Sequence, residues 1–375
     1  MCSVVPDGQG GRRGQLASSG LRPGWTTGAC ATAAARAAYT ALLTGEFPDP
    51  VEVALPHDRT PSFALTAERL GEAFAEAAVT KDAGDDPDIT HGAVIRVRVS
   101  VGKPGSGVGF RAGAGVGTVT LPGLPLPVGE PAINPMPRTM ITANLRLAAG
   151  LDAEASDPDL VVTVSIDDGE QLAAKTLNPR LGIVGGLSVL GTTGVVVPYS
   201  CSAWIDSIRR GVDVARALGH RHVAGCTGST SERVAAELYG LPETALLDMG
   251  DFAGAVLKYL RRHPVERLTI CGGVGKLAKL ADGHLDLHSA RSRVDTRFLA
   301  GLARQSGADE QLAEAVAQAT TALGAVELCA ASGIGLGDAI ARAARQVAAE
   351  VLGEAPVAID VVCVDRSGTI VGCSR

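Results

Sequence analysis

A cluster of carboxylates lies in the segment KDAGDDPDITHG, residues 81–92, where four aspartates occupy seven positions. Crowded carboxylates can raise the pKa of one member, which then serves as a general acid or base. Asp85, inside the cluster, is the candidate for that catalytic role. The alternative is a turn in which the aspartate side chains accept backbone N–H groups. The spacing does not fit an EF-hand calcium loop, which needs a distant glutamate.

Thiol and imidazole groups give two further candidates. Cys30 lies near the start of an alanine-rich segment, where a helix N-terminus favours the thiolate, although a buried and inert cysteine is the simpler interpretation. His288 can accept a proton, and an exposed histidine without a role is the alternative. His284 lies four residues earlier, but no third ligand is near, and the eight cysteines form no Cys-x-x-Cys pair. The sequence therefore predicts no protein-bound metal.

A run of glycines marks the segment TLNPRLGIVGGLSVLGTTG, residues 176–194, which contains five of them. Glycine supplies positive φ angles in tight turns or lets another group approach the main chain closely. Apolar residues alternate with these glycines, which argues against a flexible linker. A tightly packed turn between two strands and a loop that faces a ligand are both compatible with the pattern.

Two glycine-rich loops follow predicted strands in the second half, AGCTGST at 224–230 and CGGVGK at 271–276. The second lacks the first glycine and the final Ser or Thr of a P-loop, which argues against nucleoside triphosphate binding. The first has only two of the three glycines of the dinucleotide fingerprint. Asp248 ends the next predicted strand, where an acidic side chain can hold ribose hydroxyls or simply cap the following turn.

The composition of the chain limits its class. With 375 residues, 46% of them hydrophobic and 20% charged, it is predicted to be globular, with two domains or at most three. A net charge of -6 and an aromatic content of 3% argue against a nucleic-acid partner. No apolar stretch reaches the length of a membrane helix, and no export signal is present, so we expect a cytoplasmic protein without a membrane partner. A homo-oligomer is compatible with the sequence.

The periodicity of the apolar residues divides the chain into two parts. In the first we expect helices over 29–44, ending at Gly45, and over 137–150, with strands at 51–55, 93–101 and 160–166. This irregular mixture predicts an α+β domain over 21–195, after a disordered tail over 1–20. In the second part strands and helices alternate, which predicts parallel strands with helical crossovers and a Rossmann-like α/β domain over 196–375. Its first predicted elements are helices at 200–219, 231–240 and 251–263, and strands at 221–225, 245–250 and 266–272.

Five segments occur in the order that is typical of a known family. They are GWTTGACATAAARAA (24–38), KDAGDDPDITHG (81–92), INPMPRTMI (133–141), KTLNPRLGIVGGLSVLGTTGVVVP (175–198) and CGGVGKLAKLADG (271–283). On these segments the chain resembles the cobalt-precorrin-5B (carbon-1) methyltransferase family of cobalamin biosynthesis, the CbiD type. Two departures are Leu287-His288-Ser289, where the family has Thr-His-Ser, and the segment YSCSAW after Pro198. The first 20 residues lie outside the resemblance, and the last 80 match it only loosely.

The resemblance implies an enzyme that transfers a methyl group from S-adenosylmethionine to carbon-1 of a cobalt corrinoid, its small-molecule partner. The corrinoid carboxylates need cations and N–H groups, which this chain would supply from Lys81, Arg138, Arg180, Lys276, Gly185, Gly186, Thr192 and Thr193, with Lys175 nearby. The methyl donor would lie at Gly225, Thr227, Gly228, Asp248, Gly272 and Gly273. Asp85 and His288 are the catalytic candidates. A Rossmann-type oxidoreductase and a non-catalytic corrinoid-binding protein are the alternatives.

Overall fold

The computed structural model describes residues 20–374, so the tail predicted over 1–20 lies outside the described residues except for Gly20. The first half of this part combines short strands with helices and a 3-10 turn at Pro179–Leu181. Its helices are α1 (Thr27–Thr44), α2 (Pro135–Ala148) and α3 (Gly169–Ala173). Its strands are β1 (Gly24–Trp25), β2 (Val51–Glu52), β3 (Ser62–Phe63), β4 (Ala67–Leu70), β5 (Phe74–Thr80), β6 (Val94–Val101), β7 (Val108–Ala112), β8 (Gly115–Val116), β9 (Thr118–Val119), β10 (Leu160–Ile166), β11 (Ile183–Val184), β12 (Gly186–Leu187) and β13 (Val195–Val196).

Helix α1 is almost entirely buried because its sequence is small and apolar. Alanine has the highest helix propensity, and its short side chain lets the helix approach α2, β5 and β6 closely. Thr26 caps the N-terminus by accepting the N–H of Ala29, and Gly45, at φ +84°, ends the helix in the left-handed conformation. The helix predicted over 29–44 and its glycine cap are confirmed.

The main sheet of the first half has the strand order β4-β5-β6-β10-β7. All neighbours are antiparallel except β7, which runs parallel to β10. The strands predicted over 93–101 and 160–166 are confirmed as β6 and β10, and the helix predicted over 137–150 is confirmed as α2. The strand predicted over 51–55 is shorter than expected, because only Val51 and Glu52 pair with β3 before the chain turns at His57 and Asp58, which both have positive φ.

The second half alternates helices and strands, with a 3-10 turn at Glu243–Ala245. Its helices are α4 (Cys201–Ala217), α5 (Ser229–Tyr239), α6 (Ala253–Leu260), α7 (Val274–Ala281), α8 (Thr296–Gln305), α9 (Glu310–Ala317), α10 (Ala322–Ala331) and α11 (Leu336–Leu352). Its strands are β14 (His222–Cys226), β15 (Leu246–Asp248), β16 (Arg267–Gly273), β17 (Ala358–Val364) and β18 (Ile370–Ser374). The six elements predicted between residues 200 and 272 are confirmed, the helices as α4, α5 and α6 and the strands as β14, β15 and β16.

The sheet of the second half has the order β15-β14-β16-β17-β18. Strands β14 to β17 are parallel, and β18 is antiparallel to β17. In chain order the strands therefore run 2-1-3-4-5, and the direction of winding reverses between β14 and β16. Ligands of doubly wound sheets bind outside the carboxyl ends of the strands at such a reversal, which is where both glycine-rich loops lie. A Rossmann-like domain that begins at residue 196 stays a prediction.

The two largest clusters of buried apolar side chains in the described part of the chain lie one within residues 29–189 and one within 208–363. Polar contacts cross from one half to the other at two places. Arg180 pairs with Glu232 and Glu243, and Asp86 accepts the N–H of Tyr199 at 2.7 Å. Within residues 20–374, none of the helices has the length and the apolar character needed to cross a bilayer.

Candidate active site

Four loops meet at the carboxyl edge of the parallel sheet. Lys276, at the start of α7, joins the loops after β14 and β15: its Nζ donates to the Thr227 carbonyl at 2.9 Å and lies 3.1 Å from Asp251 Oδ1. The Asp251 carbonyl accepts the N–H of Leu287 at 2.8 Å, which brings the loop of His288 to the same edge. The structure therefore brings together Thr227, Asp248, Lys276 and the His288 loop, as the order of the strands requires.

Asp248 is the most unusual group at this edge. Its side chain is half-buried, and its carboxylate accepts no hydrogen bond from any residue between 20 and 374. Burial, and next the neighbouring carboxylate of Glu232, raise the pKa of Asp248, whereas Arg180 and Lys276 lower it. A half-buried carboxylate without a hydrogen-bond partner is costly, so we interpret it as a group that a ligand completes.

Glu232 and Arg180 form a two-pronged ion pair next to Asp248. The two guanidinium nitrogens lie 2.6 Å and 2.9 Å from the two carboxylate oxygens of Glu232. Glu232 is in the first turn of α5, where the helix dipole favours a negative charge. This glutamate therefore puts a negative charge near the helix end at which dinucleotide-binding sheets bind a phosphate.

The amides of the first glycine-rich loop are also occupied. The hydroxyl of Ser231 accepts the N–H groups of Thr227 and Gly228 at 3.0 Å and 3.1 Å and donates to the Gly228 carbonyl at 2.7 Å. The amides of Thr227 and Gly228 are not free for an anionic pyrophosphate, and the charges here disfavour one, because Glu232, Asp248 and Asp251 outnumber Arg180 and Lys276. This edge suits a cationic ligand.

The glycines around the edge differ in what surrounds them. A Cβ added at Gly272 would lie 2.6 Å from the Thr227 methyl group, and one at Gly225 would lie 3.3 Å from Met249 Sδ. These two glycines are explained by packing within the protein. A Cβ at Gly228 or Gly273 would have no atom within 4 Å, so both positions face open space.

The glycine run at 182–194 is packed against the protein itself. A Cβ on Gly186 would lie 2.3 Å from the backbone of Gly115, and one on Gly191 would lie 2.2 Å from Thr26 Oγ1. The tightly packed turn, one of the two interpretations of the sequence, therefore explains these glycines. Only Gly185, at φ +86°, faces open space among the glycines of this run. Of the two threonines, Thr192 is exposed, and the hydroxyl of Thr193 donates to the Val195 carbonyl at 3.3 Å.

The cations that the resemblance implied for the substrate already have carboxylate partners. Lys81 is only 3% exposed and donates to Asp88 and to Thr90. Arg138 donates to Glu130 at 2.9 Å and to the Ile133 carbonyl at 2.8 Å, which fixes the loop before α2. Arg180 and Lys276 are paired as described above. Lys175 is exposed and has no ion pair with any residue in the described part of the chain. Substrate carboxylates would therefore have to share the paired cations with their present partners or displace them.

The acidic segment at 81–92 is the turn that the sequence offered as an alternative. Asp82 pairs with Arg22, whose hydrogen bond lowers the pKa of Asp82 to about 2. Lys81 lowers the pKa of Asp88. Asp85 accepts the N–H of Arg22 at 2.6 Å. The idea that crowding raises a pKa is wrong for Asp82 and Asp88, because each lies beside a cation; catalysis by Asp85 stays a prediction.

His288 and Cys30 differ sharply in accessibility. His288 is exposed, and its Nδ1 accepts the N–H of Ala290 at 3.2 Å, so the proton of the neutral ring is on Nε2. Cys30 is completely buried, and this burial raises the pKa of the thiol to about 12, which confirms the inert interpretation. Residues 20–374 contain no group of three or more His, Cys, Asp or Glu side chains that could hold a metal ion.

Three residues at the edge were not identified from the sequence: Trp204, Glu232 and Asp251. Glu232 could have been recognised as an acidic residue one turn after a glycine-rich loop. Trp204 could have been noticed because aromatic residues are scarce and this one begins a predicted helix. Asp251 has no such signal, since its position depends on the turn after β15.

The order of this sheet, and the loops at its carboxyl edge, resemble those of doubly wound α/β proteins that bind small molecules at this edge. The sequence matches the CbiD family at residues 15–198 and the CbiD C-terminal domain at 286–375. Relatives named cobalt-precorrin-5B C(1)-methyltransferase are 58% identical, one from Brucella anthropi over 93% of this chain and 95% of the relative, and one from Paramagnetospirillum magneticum over 94% and 98%. The chain belongs to the CbiD family. A solved cobalamin biosynthesis protein (cbiD) from Archaeoglobus fulgidus is 29% identical, with 68% of this chain and 77% of that chain covered and a TM-score of 0.38.

Proposed function

We infer that this chain methylates carbon-1 of cobalt-precorrin-5B with S-adenosylmethionine as the donor, giving cobalt-precorrin-6A and S-adenosylhomocysteine. Identity of 58% to methyltransferases of that name over nearly the whole chain carries the activity. The half-buried carboxylate of Asp248, which lacks a hydrogen-bond partner among residues 20–374, supports the position of the donor. Cobalt belongs to the substrate and is not a resident metal of the protein.

The donor site that we propose is the carboxyl edge between β14 and β16. Asp248 would accept the ribose hydroxyls, and the open space beside Gly228 and Gly273 would admit the ligand next to the main chain. Glu232, Asp248 and Asp251 attract the positive sulfonium, whereas Lys276 can exchange Asp251 for the carboxylate of the donor. We therefore propose Lys276 as a contact of the donor, whereas the resemblance implied a contact of the substrate.

The protein contributes mainly by alignment. Bound at this edge, S-adenosylmethionine supplies an activated methyl group, and the macrocycle supplies the electron pair that forms the new C–C bond while the sulfur keeps the electrons of the broken C–S bond. Holding both molecules in line can remove about 7–11 kcal/mol of the barrier. Asp85 and His288 as proton acceptors, and Arg138, Arg180, Gly185, Thr192 and Thr193 as substrate contacts, remain part of the proposal.

The charges at the edge favour this donor over a nicotinamide dinucleotide. A pyrophosphate would lie against Glu232 and Asp248, and the amides of Thr227 and Gly228 already donate to Ser231. These contacts and charges argue against the oxidoreductase alternative. A cytoplasmic location and a homo-oligomer are also part of the proposal.

The experiment is an incubation of purified protein with cobalt-precorrin-5B and donor labelled in the methyl group. We expect label in the corrinoid and one S-adenosylhomocysteine for each methyl transferred. Corrinoid binding without label transfer would favour a carrier, and consumption of a nicotinamide cofactor instead of the labelled donor would favour an oxidoreductase.

A further inference from the structure

Trp204, in the first turn of α4, is an exposed aromatic side chain at the edge of the proposed donor site. Its exposed fraction is 46%, and among the described residues Tyr199 is the only other aromatic side chain with comparable exposure. An exposed indole loses the favourable burial that tryptophan normally obtains. The surroundings of Trp204 therefore have to account for its place at the surface.

The structure holds the Trp204 ring against the turn that follows β15. The indole Nε1 donates to the main-chain carbonyl of Asp248 at 3.1 Å. A Cβ on Gly250 would lie 3.4 Å from Trp204 Cζ2, so the ring is in contact with this residue, which has a φ of +55°. The ring is therefore oriented by its contacts with the turn while much of its surface stays open.

We propose that Trp204 is the stacking surface for the adenine ring of the methyl donor. This inference depends on the proposed function, because it takes Asp248 as the acceptor for the ribose hydroxyls. Adenine is bonded to the ribose carbon next to the one that carries the 2′-hydroxyl. The indole bonded to the Asp248 carbonyl therefore lies beside the region that an adenine would reach when its ribose binds the Asp248 carboxylate.

The chemistry of the ring fits adenine better than it fits the corrinoid. A flat heteroaromatic base stacks on an indole without needing a charged partner. The corrinoid carries many carboxylates, whereas Asp248, whose main-chain carbonyl accepts the indole N–H, has an acidic side chain with a second carboxylate, Glu232, near it. Negative charge at the edge disfavours the anionic macrocycle and leaves the neutral adenine unaffected.

The first test uses tryptophan fluorescence. The chain has two tryptophans, so Trp25→Phe leaves Trp204 as the sole reporter. Trp25 packs against Phe63 at a ring distance of 5.3 Å in the first half, and phenylalanine preserves that contact. We expect S-adenosylhomocysteine and adenosine to change the Trp204 emission in a saturable way, and homocysteine alone to leave it unchanged.

The second test compares two substitutions by calorimetry with S-adenosylhomocysteine. Trp204→Ala should weaken binding about tenfold, whereas Trp204→Phe, which keeps a stacking ring, should stay within about threefold of the wild type. Because Trp204 is exposed, both variants should unfold at nearly the temperature of the parent protein. Leu43→Ala, which removes an apolar side chain that is 51% exposed at the end of α1, is the control.

Three results would overturn the inference. If S-adenosylhomocysteine binds the wild type but neither changes the Trp204 emission nor distinguishes Trp204→Ala, the adenine lies elsewhere and the proposed activity survives. If Trp204→Ala raises the KM for the corrinoid and not that for the donor, the ring contacts the substrate. If S-adenosylhomocysteine does not bind the wild type at all, the proposed donor fails and the inference fails with it.

Discussion

The glycine run at 182–194 and the glycine-rich loops at the carboxyl edge look alike in the sequence and differ in the structure. In the run, the missing side chains of Gly186 and Gly191 make room for other parts of the same chain. At the edge, Gly228 and Gly273 face open space near a carboxylate that accepts no hydrogen bond within residues 20–374. A glycine in the sequence therefore indicates that another group can come close to the main chain. The fold is needed to decide whether that group is a segment of the protein or a ligand.

The charged groups show the same contrast. In the first half, the acidic turn is satisfied by Lys81, Arg22 and main-chain N–H groups. At the edge, the carboxylates outnumber the cations, and the pKa of Asp248 is raised. The acidic turn has its partners within the protein, whereas we propose that the edge receives a ligand.

The largest expected effect is the loss of the Lys81–Asp88 pair. Asp88→Ala leaves the ammonium of Lys81, which is 3% exposed, without a carboxylate, so the free energy of unfolding should fall by about 3–5 kcal/mol in urea titrations. Glu154→Gln, at an exposed acid, is the control. Because Lys81 lowers the pKa of Asp88, the stabilisation in the wild type should be present above the ordinary carboxyl pKa and be lost as the pH falls toward the folded value.

The same variant distinguishes the two roles of Lys81. Wild-type stability combined with a raised KM for the corrinoid would return Lys81 to the substrate-binding surface that the resemblance implied. Loss of stability with an unchanged KM would keep the acidic turn as a structural element.

The next effect in size is a clash within the glycine run. Gly186→Ala puts a Cβ at 2.3 Å from the backbone of Gly115, and neither strand can move without disturbing the pairing of β12 with β8. We expect a loss of about 1–3 kcal/mol in the free energy of unfolding, measured by thermal and urea denaturation. Unchanged stability together with weaker corrinoid binding would show that the space beside Gly186 serves the substrate.

Local patterns were enough to predict many elements of the fold. The alanine run with Thr26 and Gly45 at its ends specifies α1, and strict alternation specifies β10, since both signals are contained within the segment itself. The reversal of the winding direction between β14 and β16 has no such local signal, because it depends on which distant strands pair with each other. The candidate site has the same limit: Asp248 was identifiable from its place after a strand, but the pairing of Arg180 with Glu232 joins residues 52 positions apart.

Smaller effects are expected from Asp248→Asn, which should weaken ligand binding and stabilise the folded protein. Asp248→Asn should weaken S-adenosylhomocysteine binding at least about tenfold in calorimetry, because a charge-assisted hydrogen bond to the ribose is lost. Since burial raises the pKa of Asp248, its ionised form costs the folded protein stability at neutral pH, and the amide should raise the melting temperature there. This gain should shrink as the pH falls through the raised pKa, where the wild-type carboxyl becomes protonated. Unchanged affinity at pH 7 would remove Asp248 from the donor site.

The smallest expected effect is at Gly273, the counterpart of Gly186 at the edge. A Cβ there has no atom within 4 Å, and the residue has a φ of -65°, so Gly273→Ala fits the fold without strain and should keep the melting temperature or raise it slightly. If the donor approaches the main chain at this point, the added methyl group should weaken S-adenosylhomocysteine binding about threefold, as measured by calorimetry. Gly275→Ala, which also meets no atom within 4 Å but lies inside α7, is the matched control. If Gly273→Ala lowers the affinity without lowering the stability, its effect is the opposite of the one expected for Gly186→Ala. If Gly273→Ala and Gly275→Ala bind S-adenosylhomocysteine equally well, the ligand does not contact the main chain at Gly273.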